Sequence, residues 1–263
     1  MKKQILVLTT FLSVSCLTYA QELESTEETP ADEISVLDYQ NKKNIVKFSL
    51  TSLVFKNFQF QYERVLNKTF SVALSYGTIP KSGIPFGKSI KEIAGDGDLT
   101  KIIADGKVGY SSFTPEVRIY TGKKGYGKGF YLAPFFRASK YTFENINFDY
   151  DLDNGDTATI NTSGTLKGST FGLLLGSQFN LGHNLVLDWW IAGPHIGTSN
   201  GDLRGTTSRV LSQNEQDALL DSLQDTDITF VDAEYKVDEN GAEISLDGPW
   251  AGVRAGLSIG YRF

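Results

Sequence analysis

Val253-Arg254-Ala255-Gly256-Leu257-Ser258-Ile259-Gly260-Tyr261-Arg262-Phe263 puts an apolar side chain at every odd position and a polar residue or glycine at every even one. Alternation at 180° per residue marks a strand whose two faces meet different surroundings. Phe58-Gln59-Phe60-Gln61-Tyr62-Glu63 repeats the pattern. Working outward from these two stretches, the period predicts eight strands, at about 44–53, 57–66, 69–79, 108–120, 129–143, 165–180, 184–197 and 249–263. Short turns at Asn67-Lys68, Lys123-Lys124-Gly125 and Gly182-His183-Asn184 alternate with long connections after the third, fifth and seventh strands; the connection near Phe55-Lys56-Asn57 is tight. With eight strands both ends of the domain fall on the short-turn side. The parity closes.

Composition agrees. The chain has 263 residues with 17 Phe, 12 Tyr, 26 Gly and only 7 Pro, a balance that favours β-structure over helix. Apolar residues make up 40% and charged residues 21%, which excludes wholesale disorder. A net charge of −6 argues against a basic nucleic-acid-binding face.

At the other end, Lys2-Lys3, an apolar run from Ile5 to about Leu17, and Thr18-Tyr19-Ala20 have the layout of a secretory signal peptide over 1–20. Its apolar run is too short to span a bilayer. Cleavage after Ala20 removes Met1 and Cys16, the only sulfur-bearing residues, so the mature chain has no disulfide, thiolate metal site or cysteine nucleophile. A lipidated Cys16 is the rival reading, but Ser13 stands where lipoprotein signals carry leucine. Residues 21–43, acidic and without apolar periodicity, read as a solvated periplasmic tail ahead of a barrel domain at 44–263.

Alternation alone fits a soluble lipocalin-like barrel equally well. Three features favour a membrane. The polar faces carry Gly172, Gly176, Gly252, Gly256 and Gly260, which suit a crowded narrow lumen. Phe70, Phe130, Phe179, Tyr261 and Phe263 gather toward the short-turn end, as interfacial girdles do. Finally, Leu257, Ile259, Tyr261 and terminal Phe263 resemble the C-terminal signal read by the outer-membrane barrel insertion machinery. The predicted fold class is all-β, an eight-stranded antiparallel transmembrane β-barrel with an extracellular cap.

On Leu187-Asp188-Trp189-Trp190-Ile191-Ala192-Gly193-Pro194-His195, Pro115-Glu116-Val117-Arg118 and Gly129-Phe130-Tyr131-Leu132-Ala133-Pro134, the chain from about 44 to 263 resembles a family of small bacterial outer-membrane barrels within the OmpA/OmpX-like class. That resemblance implies an outer-membrane, Gram-negative, cell-surface location. It brings no accepted activity and no catalytic residues.

Period two places Lys47, Glu63, Glu116, Arg118, Arg137, Asp188 and Arg254 in the lumen. Buried charges must pair or hydrate, so an interlocking ion-pair network is expected, with Asp188 beside Arg254 and Glu116 beside Arg137. The large extracellular loops fall at about 80–107, 144–164 and 198–248. In the first, Ile90–Ile93 and Leu99–Ile103 hint at short helical pieces. In the second, Asn154-Gly155 signals a hairpin turn, and strands five and six continue above the membrane as a ribbon. Asp149, Asp151, Asp153 and Asp156 invite a calcium reading, but Gly155 falls one place late for an EF-hand loop and no Glu occupies the twelfth position. In the third, Ser212 with Glu215 begins a helix, and 229–237 pairs through Asn240-Gly241 as an extracellular hairpin rather than a ninth crossing.

No cofactor or metal is implied. The expected partners are outer-membrane lipid, lipopolysaccharide and the insertion machinery, with the extracellular partner unidentified. Only His183 and His195 could serve base chemistry. His195 shares its parity with Leu187, Trp189 and Ile191, which predicts a lipid-facing ring like that of lipid-A deacylase barrels. The serine those enzymes carry two residues on is Gly197 here, and Ser199 is too far along. The expected function is therefore a non-enzymatic structural or surface-interaction barrel. A lipid esterase using His195 and passage of small apolar solutes stand as alternatives.

Overall fold

The computed structural model describes residues 41–83, 106–122, 125–151, 157–182, 184–224 and 231–263. The segments read as a signal peptide and, up to residue 40, as an acidic tail lie outside these residues. So do the helical pieces near 90–103, Lys123-Lys124, the Asn154-Gly155 turn with Asp153 and Asp156, Thr229, and His183. Nothing is described of the side chains at 148–158, which hold Asp149 and Asp151.

Among the described residues nine strands and two helices follow in order: β1 (Asn44–Ser49), α1 (Leu50–Val54), β2 (Phe58–Val65), β3 (Phe70–Gly83), β4 (Lys107–Tyr120), β5 (Gly129–Asp151), β6 (Thr157–Gly182), β7 (Leu185–Thr207), α2 (Gln213–Gln224), β8 (Asp232–Asp238) and β9 (Gly241–Arg262). Every pairing is antiparallel. Neighbours run β1 through β7 and then β9, and β9 pairs back onto β1. The result is a ring of eight strands. At its base Asn44 and Phe263 exchange backbone bonds of 3.0 and 2.8 Å. β8 stays outside the ring, joined to the upper end of β9 from Asp238 opposite Gly241 to Asp232 opposite Asp247.

The turns are set by local chemistry. Asn67 bridges β2 and β3 by accepting from the Thr69 and Phe70 amides, each at 2.8 Å, an Asx-type turn. Ser49 caps α1 by accepting from the Ser52 amide at 3.3 Å. Lys56 takes a left-handed φ of 57° where the chain reverses into β2. At the start of α2, Glu215 accepts from both the amide and the hydroxyl of Ser212, at 2.9 and 2.8 Å.

The two faces of the ring are inverted relative to a soluble protein. Phe171 (69% exposed), Ile196 (68%) and Val253 (70%) belong to an apolar outer surface shared by β1 to β7 and β9. The aromatic residues Phe70, Phe130, Phe179, Tyr261 and Phe263 are all exposed there, near the base. Ile259 is exposed with them and Leu257 is half-buried. The inside starts at the base with Ile45, Val65 and Val186, continues through buried charges, and then meets Tyr120, Tyr131, Phe135, Leu174 and Trp190.

β5 runs to Asp151 and β6 starts at Thr157, the ribbon that the sequence reading expects above the ring. Two features depart from that reading. β7 runs past its expected end near 197 to Thr207, so part of the 198–248 loop is strand. In addition, the β7–β9 ladder shifts register between Trp190 and Gly193. A bulge of this kind inserts a residue and turns everything beyond it to the other face. Val186, Asp188 and Trp190 point in, and above the bulge Gly193 and His195 do too.

Candidate functional site

An eight-stranded ring leaves an interior that side chains can fill. Lys47, Glu63, Glu116, Arg118, Asp188 and Arg254 are each no more than 5% exposed. Such burial is tolerable only with partners, and the strands supply them by alternate positions. Lys47 from β1 reaches Glu63 Oε2 at 2.5 Å, Asp188 Oδ2 at 2.7 Å, and the Gln178 side-chain carbonyl. Arg118 from β4 spans the lumen. Its Nη1 donates to Asp188 Oδ2 at 2.8 Å and Glu63 Oε2 at 3.1 Å, and its Nη2 lies 2.6 Å from Glu116 Oε1. Arg254 Nη1 donates to the other oxygen, Glu116 Oε2, at 3.1 Å.

Neutral groups finish the coordination. Tyr120 and Ser71 hydroxyls donate to Glu63 Oε1 at 2.7 and 2.6 Å. The Tyr131 hydroxyl and the Trp190 indole donate to Asp188 at 2.8 and 3.1 Å. Gln61 accepts from Arg118 Nη2 at 2.8 Å and donates to Glu116 at 3.1 Å. Arg118 stacks 4.4 Å from the Tyr131 ring centroid, and Arg254 lies between Phe135 and Trp190 at 4.6 and 4.8 Å. Three cations meet three carboxylates, so this layer is formally neutral. Chemically it is a plug, with every carboxylate oxygen facing a donor.

The expected pairings differ in detail. Arg254 lies opposite Gly193 and Asp188 opposite Ser258, so these two charges do not meet. Asp188 instead binds Lys47 across β9, and Arg254 binds Glu116 across the lumen. Glu116 sits opposite Phe135. Arg137, two residues farther up β5, joins no ion pair among the described residues; it donates to the Tyr110 hydroxyl and lies 6.0 Å from that ring. Gln61, Gln178, Tyr120, Tyr131, Ser71 and Trp190 escape a sequence search aimed at charges alone. Their parity, shared with Glu63, Arg118 and Asp188, is the signal that could find them.

His195 requires a correction. Its ring is not turned to lipid. It packs edge-on at 5.9 Å from the buried Phe135 ring, and a Cβ on inward-facing Gly252 would stand 2.8 Å from its Cε1 and Nε2. The bulge below it reverses the face that parity predicts.

No protein family and no curated protein matches the sequence. Among solved structures, the chain is similar to Ail, the attachment invasion locus protein of Yersinia pestis (13% identity, 84% of this chain and 99% of that one, TM-score 0.30). It is also similar to a major outer membrane protein of Thermus thermophilus (13%, 84% and 99%, TM-score 0.34) and to the outer membrane protease OmpT of Escherichia coli (8%, 84% and 93%, TM-score 0.32).

Proposed function

We propose that this chain is an outer-membrane barrel with a sealed lumen that acts by displaying its cap, not by catalysis or conduction. The observation that carries the reading is the inversion of polarity, with an apolar belt outside and a neutral ion-pair plug inside. Water on both faces would favour the opposite arrangement; hydrocarbon outside favours this one. Asn44 and Phe263 meet at the short-turn end, which supports a periplasmic side for this end of the ring. The strand ribbon, α2 and the β8–β9 hairpin then project from the cell surface, where an extracellular partner would bind. Ile259, Tyr261 and Phe263 on the outer face, with Leu257, serve the insertion machinery. Lipid and lipopolysaccharide cover the belt. Lys140 and Lys167 face one another directly just above it, an unfavourable like-charge pairing that anionic headgroups would relieve, beside a cleft of about 390 Å³ lined also by Arg204, Asp202 and Glu243.

The test combines fractionation with gel mobility. Recovery in the outer-membrane fraction, different migration of heated and unheated samples, and cleavage near α2 by protease added to intact cells are expected. Recovery in the soluble fraction with heat-independent migration would overturn the membrane reading. A steady current in planar bilayers would overturn the sealed lumen.

A further inference from the structure

Above the neutral plug Arg137 adds an inward cation that has no ion-pair partner among the described residues. Arg137, Arg254 and His195 come from β5, β9 and β7 and lie within electrostatic reach of one another. The acid that Arg254 faces is Glu116, which already serves Arg118. Arg254 is 5% exposed, and its Nε and Nη2 have no hydrogen-bond partner; neither has the buried Nδ1 of His195. Leaving a buried donor unmade costs free energy, and gathering like charges adds to the cost. Rings wall this space. Phe135 and Trp190 flank Arg254, while Tyr110, Tyr141 and Trp250 stack in sequence above, with centroids 4.9 and 5.5 Å apart.

Among the described residues the strand wall is stepped beside the same place. β1 covers the edge of β9 from Ser258 to Arg262, and β8 covers it from Gly241 to Asp247. Between them, residues 248–256 of β9 pair with no strand on that edge among the described residues; α1 packs on the lower end of the stretch, where Thr51 accepts from the Leu257 amide at 3.2 Å and lies against Gly256. Arg254 and Gly252 belong to this stretch.

We propose that Arg137, Arg254 and His195 form an oxyanion-binding site in the upper lumen, which takes a carboxylate or phosphate group whose organic body lies against the aromatic rings. The two guanidinium groups supply planar, charge-assisted donors suited to such oxygens. The ligand is either a small soluble anion entering from above or the headgroup of an amphiphile entering at the step beside β9.

The experiment titrates the purified full chain, in a zwitterionic detergent, with acetate, decanoate and inorganic phosphate, and follows tryptophan fluorescence, since Trp190 and Trp250 line the site. Saturable quenching is expected, weakened at least tenfold in Arg137→Gln and in His195→Gln. Both variants lie outside the ion-pair plug, and retained heat-dependent gel mobility verifies that they are folded. Lys236→Gln, on exposed β8, should bind as the parent does. Decanoate binding far more tightly than acetate identifies an amphiphile; equal binding of acetate, or preference for phosphate, identifies a soluble anion. Absence of saturable binding by all three, or binding unaltered in both folded variants, overturns the site.

Discussion

Asp188→Asn is the sharpest probe of the plug. The substitution conserves volume and removes one charge, so its effect is electrostatic. In the parent, Asp188 Oδ2 accepts from Lys47 at 2.7 Å, Arg118 at 2.8 Å and Trp190 at 3.1 Å, while Oδ1 accepts from Tyr131 at 2.8 Å. An amide can accept through only one of its two atoms; the NH₂ would confront a donor. Three cations would then share two carboxylates. Breaking a buried pair in this way costs about 3–5 kcal/mol, roughly a hundred-fold to several thousand-fold in the unfolding equilibrium. Urea titration in lipid vesicles, followed by tryptophan fluorescence, should show a lower midpoint at unchanged slope. Adding Lys47→Met restores the balance of charge, so the double variant should lose less than the two single losses combined. A neutral Asp188→Asn, or strict additivity in the cycle, would refute the reasoning and imply a hydrated lumen.

Leu175→Lys, on the outer face midway along the apolar stretch of β6, should cost about 2–4 kcal/mol in vesicles, while Thr198→Lys above the belt should be nearly neutral; equal effects would deny the belt its hydrocarbon. Gly176 lies under Tyr131, whose ring and hydroxyl a Cβ would strike; Gly176→Ala should displace that ring, release its bond to Asp188, cost about 1–3 kcal/mol and alter the emission of neighbouring Trp190. In α2, Glu215 faces solvent, yet its bonds from Arg209 and from the amide and hydroxyl of Ser212 hold its carboxyl down at about 2, against an ordinary 4.5. Because the folded value is the lower one, this capping contribution is complete above the ordinary value and disappears as pH falls through about 2. An NMR titration of Glu215 with amide exchange along α2 should show this loss, and Ser212→Ala should move the titration upward.

The ring is legible where its two faces meet different surroundings. Phe58 to Glu63 and Val253 to Phe263 alternate because one side chain meets the belt and the next meets the plug. Above the belt that contrast ends. Lys140, Thr142, Thr198, Asn200 and Asp202 take the outward positions, so the strands continue by backbone pairing while their hydropathy pattern disappears. The Trp190–Gly193 bulge leaves no mark either, since one inserted residue changes the face without changing composition; parity alone therefore puts His195 on the wrong side. Membership of the lumen follows from parity, but partners do not. Glu116 meets Arg254 across the interior, and Lys47 meets Asp188 past an intervening strand. Those pairings depend on the stagger of strands around the ring, which no single strand encodes.

The seam between first and last strands has a mechanical consequence. β6 and β7 are zipped from Gly182 opposite Leu185 up to Ile160 opposite Thr207, whereas β1 meets β9 only from Ile45 opposite Arg262 to Ser49 opposite Ser258. The wall is therefore a tall, stiff slab on one flank and a low step on the other. Thermal breathing will concentrate at β1, whose zippers to β9 and to β2 each pair only five residues. Lys47 sits within it and ties it to Asp188 and Glu63 on either side. The same lysine that balances charge in the interior thus acts as a rivet through the weakest joint of the cylinder.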